Sequence, residues 1–257
     1  MDATRELADL FADAWKVFVD QMPDGTVRED TGVVATLGNV PLPFLNFCFQ
    51  SEPVDDRAAF AGWLERAKSM AAEEHATIVA VCEPWLPEGW EEDLADAGMS
   101  VAIMSTGMAT DGLAPPRRPL PDLDIRRIED AEAGGHLSLL NAAAYDMPPD
   151  LFTSVTHLDF SGERAFGHVG YLADGTPVAS AAALPVNDTV YVAFVATHPD
   201  HQRRGYAEAV IRRAIAECSE ATGLTRTTLH ASDAGYSLYA AMGYEAGARF
   251  PMLLVEH

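Results

Sequence analysis

The sequence predicts an α/β (α+β layered) fold, a mixed sheet flanked by helices, in two parts joined by a proline-rich linker. Three observations carry this reading. From residue 123 onward, strand-like and helix-like hydrophobic periods alternate in the order β-α-α-β-β-β-α-β-α-β, the pattern of a layered α/β domain. Pro115, Pro116, Pro119 and Pro121 fall within one short stretch that neither a helix nor a central strand tolerates. Residues 109–122 therefore read as a linker between a part spanning 1–108 and a part spanning 123–257. The third observation is the run Val195–Ala207, which reads as a strand, a turn with two arginines and a glycine, and the start of a helix.

Composition sets the limits. The chain has 257 residues, 48% of them hydrophobic and 22% charged, enough for one large domain or two of roughly 100–150 residues. No apolar run approaches the ~20 residues of a membrane span, and the first residues lack the basic-then-apolar layout of a secretory signal. Cys48, Cys82 and Cys218 are few and widely spaced, which points to a reducing cytoplasm and to neither a disulfide framework nor a metal site. The net charge is −22, from 39 acidic against 17 basic residues. Such a surface repels nucleic acid and anionic membrane. It serves solubility; attraction of cationic amines is the sharper alternative.

In chain order, Thr4–Val19 has helical periodicity, Gly32–Leu37 and Phe44–Phe49 read as strands, Arg57–His75 as a helix and Ala76–Cys82 as a strand. Leu94–Met99 followed by Val101–Met104 gives a helix end, a glycine stop and a strand. After the linker come strand Leu123–Ile128 and a helix from Glu129 to Tyr145, broken by Pro148 and Pro149. A short helix follows over Leu151–His157. Strands Ala165–Leu172 and Pro177–Val186 flank an Ala-Asp-Gly-Thr turn, and a second turn at Asn187-Asp188 leads to strand Thr189–Ala196. A helix follows Gly205, then strand Arg226–Ala231, helix Asp233–Met242 ended by Gly243, and strand Phe250–Val255. Both parts end in helix, glycine and strand, a pattern that fits internal duplication or common βα grammar. Trp15, Asn46, Phe47, Trp63, Trp85 and Trp90 form no chemical constellation in the first part.

The run Gln202-Arg203-Arg204-Gly205-Tyr206-Ala207 carries the chemistry. It offers free backbone N–H groups at a helix N-terminus, where the dipole favours an anion. A phosphate-bearing ligand follows. With the strand exit before it, and with Leu238-Tyr239-Ala240-Ala241-Met242-Gly243-Tyr244 after the next strand, the run resembles the GCN5-related N-acetyltransferase (GNAT) superfamily over roughly 123–257. The resemblance implies a GNAT fold with a mostly antiparallel mixed sheet. Residues 1–108 then read as a degenerate GNAT-like or accessory lobe of a tandem arrangement, since they lack the arginine–glycine turn.

The resemblance also implies roles. Gln202, Arg203, Arg204, Gly205, Tyr206 and Ala207 hold the pyrophosphate of acetyl-CoA, the acyl donor, while Val195, Ala196 and Thr197 pair with its pantetheine arm. Ser232 stands where many relatives have Asn, which puts one pantetheine contact in question. Tyr239 is the candidate general acid for the departing thiolate. His230 is the nearest titrating candidate for a base, with a water relay as the alternative. Tyr145 and Asp146 fall where the family builds its acceptor pocket. Acetyl transfer to an amine of a small molecule or peptide, by direct attack in a ternary complex, is the function implied. A non-catalytic CoA-binding module and a tRNA-dependent aminoacyl transferase are the alternatives. The sequence does not specify the oligomeric state.

Overall fold

The computed structural model describes residues 2–255. Its elements are α1 (Ala3–Val19), β1 (Thr26–Asp30), β2 (Val33–Leu37), β3 (Asn46–Gln50), α2 (Arg57–Met70), β4 (Thr77–Ala80), α3 (Trp90–Asp96) and β5 (Val101–Thr110). They continue with β6 (Asp124–Arg127), α4 (Ala131–Ala144), β7 (Phe166–Tyr171), β8 (Pro177–Val186), β9 (Thr189–Thr197), α5 (Tyr206–Thr222), β10 (Thr227–Ser232), α6 (Asp233–Ala241) and β11 (Glu245–Val255). Short 3-10 turns lie at Pro43–Leu45, Glu83–Trp85, Pro149–His157 and Pro199–His201. Among the described residues, no helix is long and apolar enough to cross a membrane.

Two compact units form. One comprises Met1–Met108, His230–Tyr236 and Ala246–His257; the other comprises Ala109–Leu229 and Ser237–Glu245. In the first unit β1, β2 and β3 are antiparallel neighbours and β4 runs parallel to β3. Every residue of β2 is buried, because both faces are covered. On one face Val33, Ala35 and Leu37 join Phe60, Trp63, Leu64 and Ala67 of α2 in one apolar cluster. On α1, Leu7, Leu10, Phe11, Ala14 and Phe18 form a buried stripe at helical spacing. Phe11 meets Phe47 and Phe49 of β3 at ring-centroid distances of 5.7 and 5.0 Å.

The second unit places the start of β10 (residues 227–229), β9, β8, β7 and β6 in that order. β10 is parallel to β9 and the remaining pairs are antiparallel. Helix α4 is capped by the Asp130 carboxylate, which accepts from the Ala133 N–H at 2.8 Å.

The same grammar therefore runs twice. Three antiparallel strands, a helix crossing to a parallel strand, a second helix and a long strand describe both β1–β5 and β7–β11. Both second helices stop at a left-handed glycine. Gly98 has φ 69° and Met99 N–H returns to Leu94 C=O; Gly243 has φ 96° and Tyr244 N–H returns to Tyr239 C=O. The final strand, however, seats itself in the first unit: Met252, Leu253, Leu254 and Val255 of β11 pair antiparallel with Ala80, Val79, Ile78 and Thr77 of β4. This pairing, and not the linker alone, makes the first unit discontinuous in sequence.

Some elements differ from the sequence expectation. β1 has five exposed residues and no apolar alternation, so periodicity is silent about it. α2 ends at Met70, because Ala71 turns extended at ψ 162°. Residues 149–157 wind as a 3-10 turn behind two prolines. The proline-rich segment is docked in the second unit: Ala114 N–H donates to Met242 C=O at 2.8 Å, and the Arg212 guanidinium donates to Ala114 C=O at 2.6 Å.

Candidate functional site

The site begins with an irregular strand. β9 is antiparallel to β8 from Thr189 to Thr197, but the register slips between Ser180 and Ala182. Opposite that slip Phe194 is left-handed, at φ 50°. An aromatic residue there costs on the order of 1–2 kcal/mol, so neighbours must hold it. The Phe194 carbonyl accepts from the Ser180 hydroxyl at 3.1 Å and from the Asn141 amide at 3.5 Å. The Asn141 amide also donates to Ser180 Oγ at 3.3 Å and to Leu137 C=O at 2.9 Å. Asn141 and Ser180 are both buried.

On its other flank β9 is parallel to β10. Val190 pairs with Thr227 and Tyr191 with Thr228. A trans peptide directs its C=O and N–H oppositely. Because the Phe194 carbonyl is tied to Ser180 and Asn141, the Val195 N–H of the same peptide faces away from them. Val195 and Thr197 are half-buried and Ala196 is buried.

The chain then makes a 3-10 turn over Pro199–His201 and enters α5 through Gln202–Gly205. Arg203 at φ 66° and Gly205 at φ 81° are both left-handed. Alternation of this kind turns successive N–H groups into one concavity that suits an anion. Gly205 is the N-cap of α5, and no side chain caps the helix. A Cβ on Gly205 would meet Pro121 Cδ only at 3.5 Å, an ordinary contact, so the backbone conformation rather than crowding calls for glycine. Arg204 donates to the Asp200 carbonyl at 3.2 Å, and the side chains of Gln202, Arg203 and Arg204 are exposed.

The first repeat lacks both features. β3 stays paired with β4 through Phe47, Cys48 and Phe49 of a strand that ends at Gln50. Its helix α2 is capped by Asp56, whose carboxylate accepts from Ala59 N–H at 2.8 Å. An internal anion already occupies the place that α5 leaves open.

Tyr239 is 7% exposed and packs edge-on to Tyr244 at 5.8 Å. Burial, then the neighbouring Tyr145 and Tyr244, hold its hydroxyl pKa far above the usual phenol range. Among the described residues no hydrogen-bond partner of that hydroxyl is found. Tyr145 closes α4 and stacks on Phe152 at 6.5 Å. It is 44% exposed, yet burial around its hydroxyl raises its pKa, the combination expected of a ring lining a recess. Asp146, left-handed at φ 52°, is exposed beside it. Tyr145 and Tyr239 thus belong to one cluster in the second unit. Ser232 is half-buried where β10 gives way to α6.

His230 is placed otherwise. Its ring stacks on Phe11 at 3.8 Å and meets Phe250 edge-on at 4.6 Å, inside the aromatic core of the first unit. Burial depresses its pKa to about 3. An imidazole so tuned is a weak proton acceptor near neutrality, and its surroundings account for it as a packing residue. Cys48, Cys82 and Cys218 are buried thiols with pKa values pushed up to about 12, about 12 and about 11. They are not thiolate nucleophiles at neutral pH. Among the described residues, no three His, Cys, Asp or Glu side chains gather as a metal site.

Paired repeats of one strand–helix grammar, the second with an open turn before its helix, form an architecture of the GNAT class. Residues 137–244 match the model of the acetyltransferase (GNAT) family, and the chain carries a GNAT domain there. Among solved structures, the chain resembles a GCN5-related N-acetyltransferase from Kribbella flavida, with 22% identity and a TM-score of 0.70, covering 100% of this chain and 97% of that one. A functionally unknown conserved protein from Staphylococcus epidermidis gives 15% identity and a TM-score of 0.66, with 93% and 97% covered. A tandem GNAT protein from the clavulanic acid biosynthesis pathway gives 14% and 0.55, with 98% and 95% covered. These likenesses establish the tandem fold. No curated protein matches the chain.

Proposed function

We propose that the protein is an acyl-CoA-dependent N-acetyltransferase that passes acetyl from acetyl-CoA to an amine of a small molecule or peptide. The observation that carries this reading is the open turn at Gln202–Ala207 directly following the bulged end of β9. The donor supplies a thioester whose acyl carbon an amine can attack. Backbone N–H groups of Gln202 to Ala207 hold its diphosphate, with Arg203 and Arg204 adding positive charge in a chain of net charge −22. Val195, Ala196 and Thr197 offer backbone groups to the pantetheine amides, and the family resemblance adds Ser232 at the end of β10.

The Val195 N–H is the donor best directed to receive the negative charge that develops on the acyl oxygen. As the C–N bond forms and the C–S bond breaks, the Tyr239 phenol gives its proton to the departing sulfur and recovers one, through ordered water, from the attacking amine. The amine loses its proton to ordered water; His230, packed between aromatic rings, is not assigned this step. Tyr145 and Asp146 border the acceptor. Attack is direct, because the three thiols are buried and protonated. A cytoplasmic setting, where acetyl-CoA is made available, belongs to the same reading.

The test is thiol release from acetyl-CoA against amino acids, polyamines, aminoglycosides and peptides, preceded by thermal shift with acetyl-CoA. A ligand at 100 times its Kd stabilises the fold by about 2.7 kcal/mol. Absence of any shift at millimolar acetyl-CoA would overturn the reading.

A further inference from the structure

We infer that Asn141 and Ser180 are positioning residues that aim the Val195 N–H at the acyl oxygen. The inference rests on the acetyltransferase reading of the same site and assigns to it two side chains that do not touch the substrate. A left-handed phenylalanine is not a conformation a strand adopts unaided, and its carbonyl accepts from the Ser180 hydroxyl at 3.1 Å and from the Asn141 amide at 3.5 Å. The two are joined to each other at 3.3 Å. Asn141 is 2% and Ser180 0% exposed, so each would carry a desolvation cost if the network were incomplete.

A core built only for stability would use apolar residues here. β8 is Pro-Val-Ala-Ser-Ala-Ala-Ala-Leu-Pro-Val, and Ser180 is its single polar side chain. Peptide planarity transmits the lock: fixing the Phe194 oxygen fixes the Val195 hydrogen on the opposite side. Without the lock, the peptide can rotate toward ordinary β geometry, which ends the bulge and redirects the N–H. Asn141 lies one helical turn before Tyr145, whose N–H closes α4 on the Asn141 backbone carbonyl at 3.0 Å.

Isotope-edited infrared spectroscopy of [1-13C]acetyl-CoA bound to the full chain tests this, alongside kcat and the affinity for CoA, which has no acyl oxygen. In the wild type the carbonyl band is expected below its position in free acetyl-CoA. Ser180→Ala should return the band toward the free position and lower kcat by about tenfold or more, with CoA affinity within about twofold. Ser180→Thr, which keeps the hydroxyl, should restore the wild-type band. If Ser180→Ala does not fold, Asn141→Leu provides the same comparison. Band and kcat unchanged in a folded variant, or kcat and CoA affinity lost in parallel, would overturn the assignment. Wild-type protein that binds CoA but shows no carbonyl shift refutes the role of Val195 alone, whereas failure to bind either ligand removes the acetyltransferase reading itself.

Discussion

Replacing Gly205 by aspartate converts the open helix start of the second repeat into a chemical likeness of the first, where Asp56 already supplies a carboxylate. Two contributions separate cleanly. The backbone one is the left-handed conformation, φ 81°, which costs an L-residue about 1 kcal/mol. Sterics add little, because the nearest atom to a new Cβ is Pro121 Cδ at 3.5 Å. Gly205→Ala therefore measures the backbone contribution alone, with an expected fall in Tm of about 2–4 °C. The electrostatic contribution arises only with ligand. A carboxylate about 4 Å from a phosphate charge is repelled by ~1 kcal/mol in water and ~4 kcal/mol at an effective dielectric constant of 20. Isothermal titration with CoA should thus show Gly205→Asp binding ~5-fold to several hundred-fold more weakly than Gly205→Ala, the gap narrowing as salt rises. Equal CoA affinity in the two variants would refute the placement of the diphosphate at this turn.

Three further outcomes are expected. Tyr239→Phe should lower kcat by about 10²–10⁴-fold with CoA affinity within twofold and little loss of stability, since the hydroxyl has no partner among the described residues; unchanged turnover removes Tyr239 from the mechanism. His230 is neutral in the fold with a pKa of about 3, whereas the unfolded chain protonates it near 6.5, so its contribution to stability is lost as pH falls below 6.5. That loss amounts to about 2 kcal/mol between pH 6.5 and 5, and denaturant titrations of His230→Leu should lack it, while turnover at pH 7.5 stays within about twofold; a tenfold loss of turnover in a folded variant would restore His230 as a base. Gly243→Ala combines a φ of 96° with a Cβ only 3.0 Å from Ala114 N, so a loss of about 1–3 kcal/mol in chemical denaturation is expected, and a neutral substitution would show that the docked proline-rich segment yields freely.

Much of this architecture is legible in the residues because it is written in local chemistry. The stripe of α1, the Asn187-Asp188 turn between β8 and β9, the glycine stops at Gly98 and Gly243 and the arginine–glycine turn are each set by neighbours in sequence. Three features are not. β1 carries no apolar alternation, because all five of its residues are exposed. The role of Asn141 and Ser180 depends on the Phe194 carbonyl, 53 and 14 residues away in sequence. One signal was available: a lone polar residue in an otherwise apolar strand, and another on the apolar side of a helix. The third is the setting of His230, a strand histidine whose contacts with Phe11 and Phe250, 219 and 20 residues away, no local pattern announces.

The seat of β11 leads to a last prediction, on the fragment 115–257, which contains the whole GNAT match at 137–244. Read by sequence alone, that fragment is a complete domain. In the fold its final strand pairs with Thr77–Ala80 of β4, and Phe250, Met252 and Leu253 are 3%, 7% and 0% exposed in the first unit. Burial of a large apolar side chain stabilises by about 1.5–3 kcal/mol, so removing β4 and its surroundings forfeits about 5–9 kcal/mol, comparable to the ~5–15 kcal/mol of a whole domain. It also leaves an unpaired apolar strand open to aggregation. Tyr239 lies only a few residues before this strand, through the Gly243 stop, whereas the Gln202–Ala207 turn sits on α5 and β9. Any folded fraction should therefore keep CoA binding better than turnover. Size-exclusion chromatography and amide NMR on the purified fragment decide the matter: a monomeric, well-dispersed and fully active 115–257 would refute the argument that the last strand belongs energetically to the first unit.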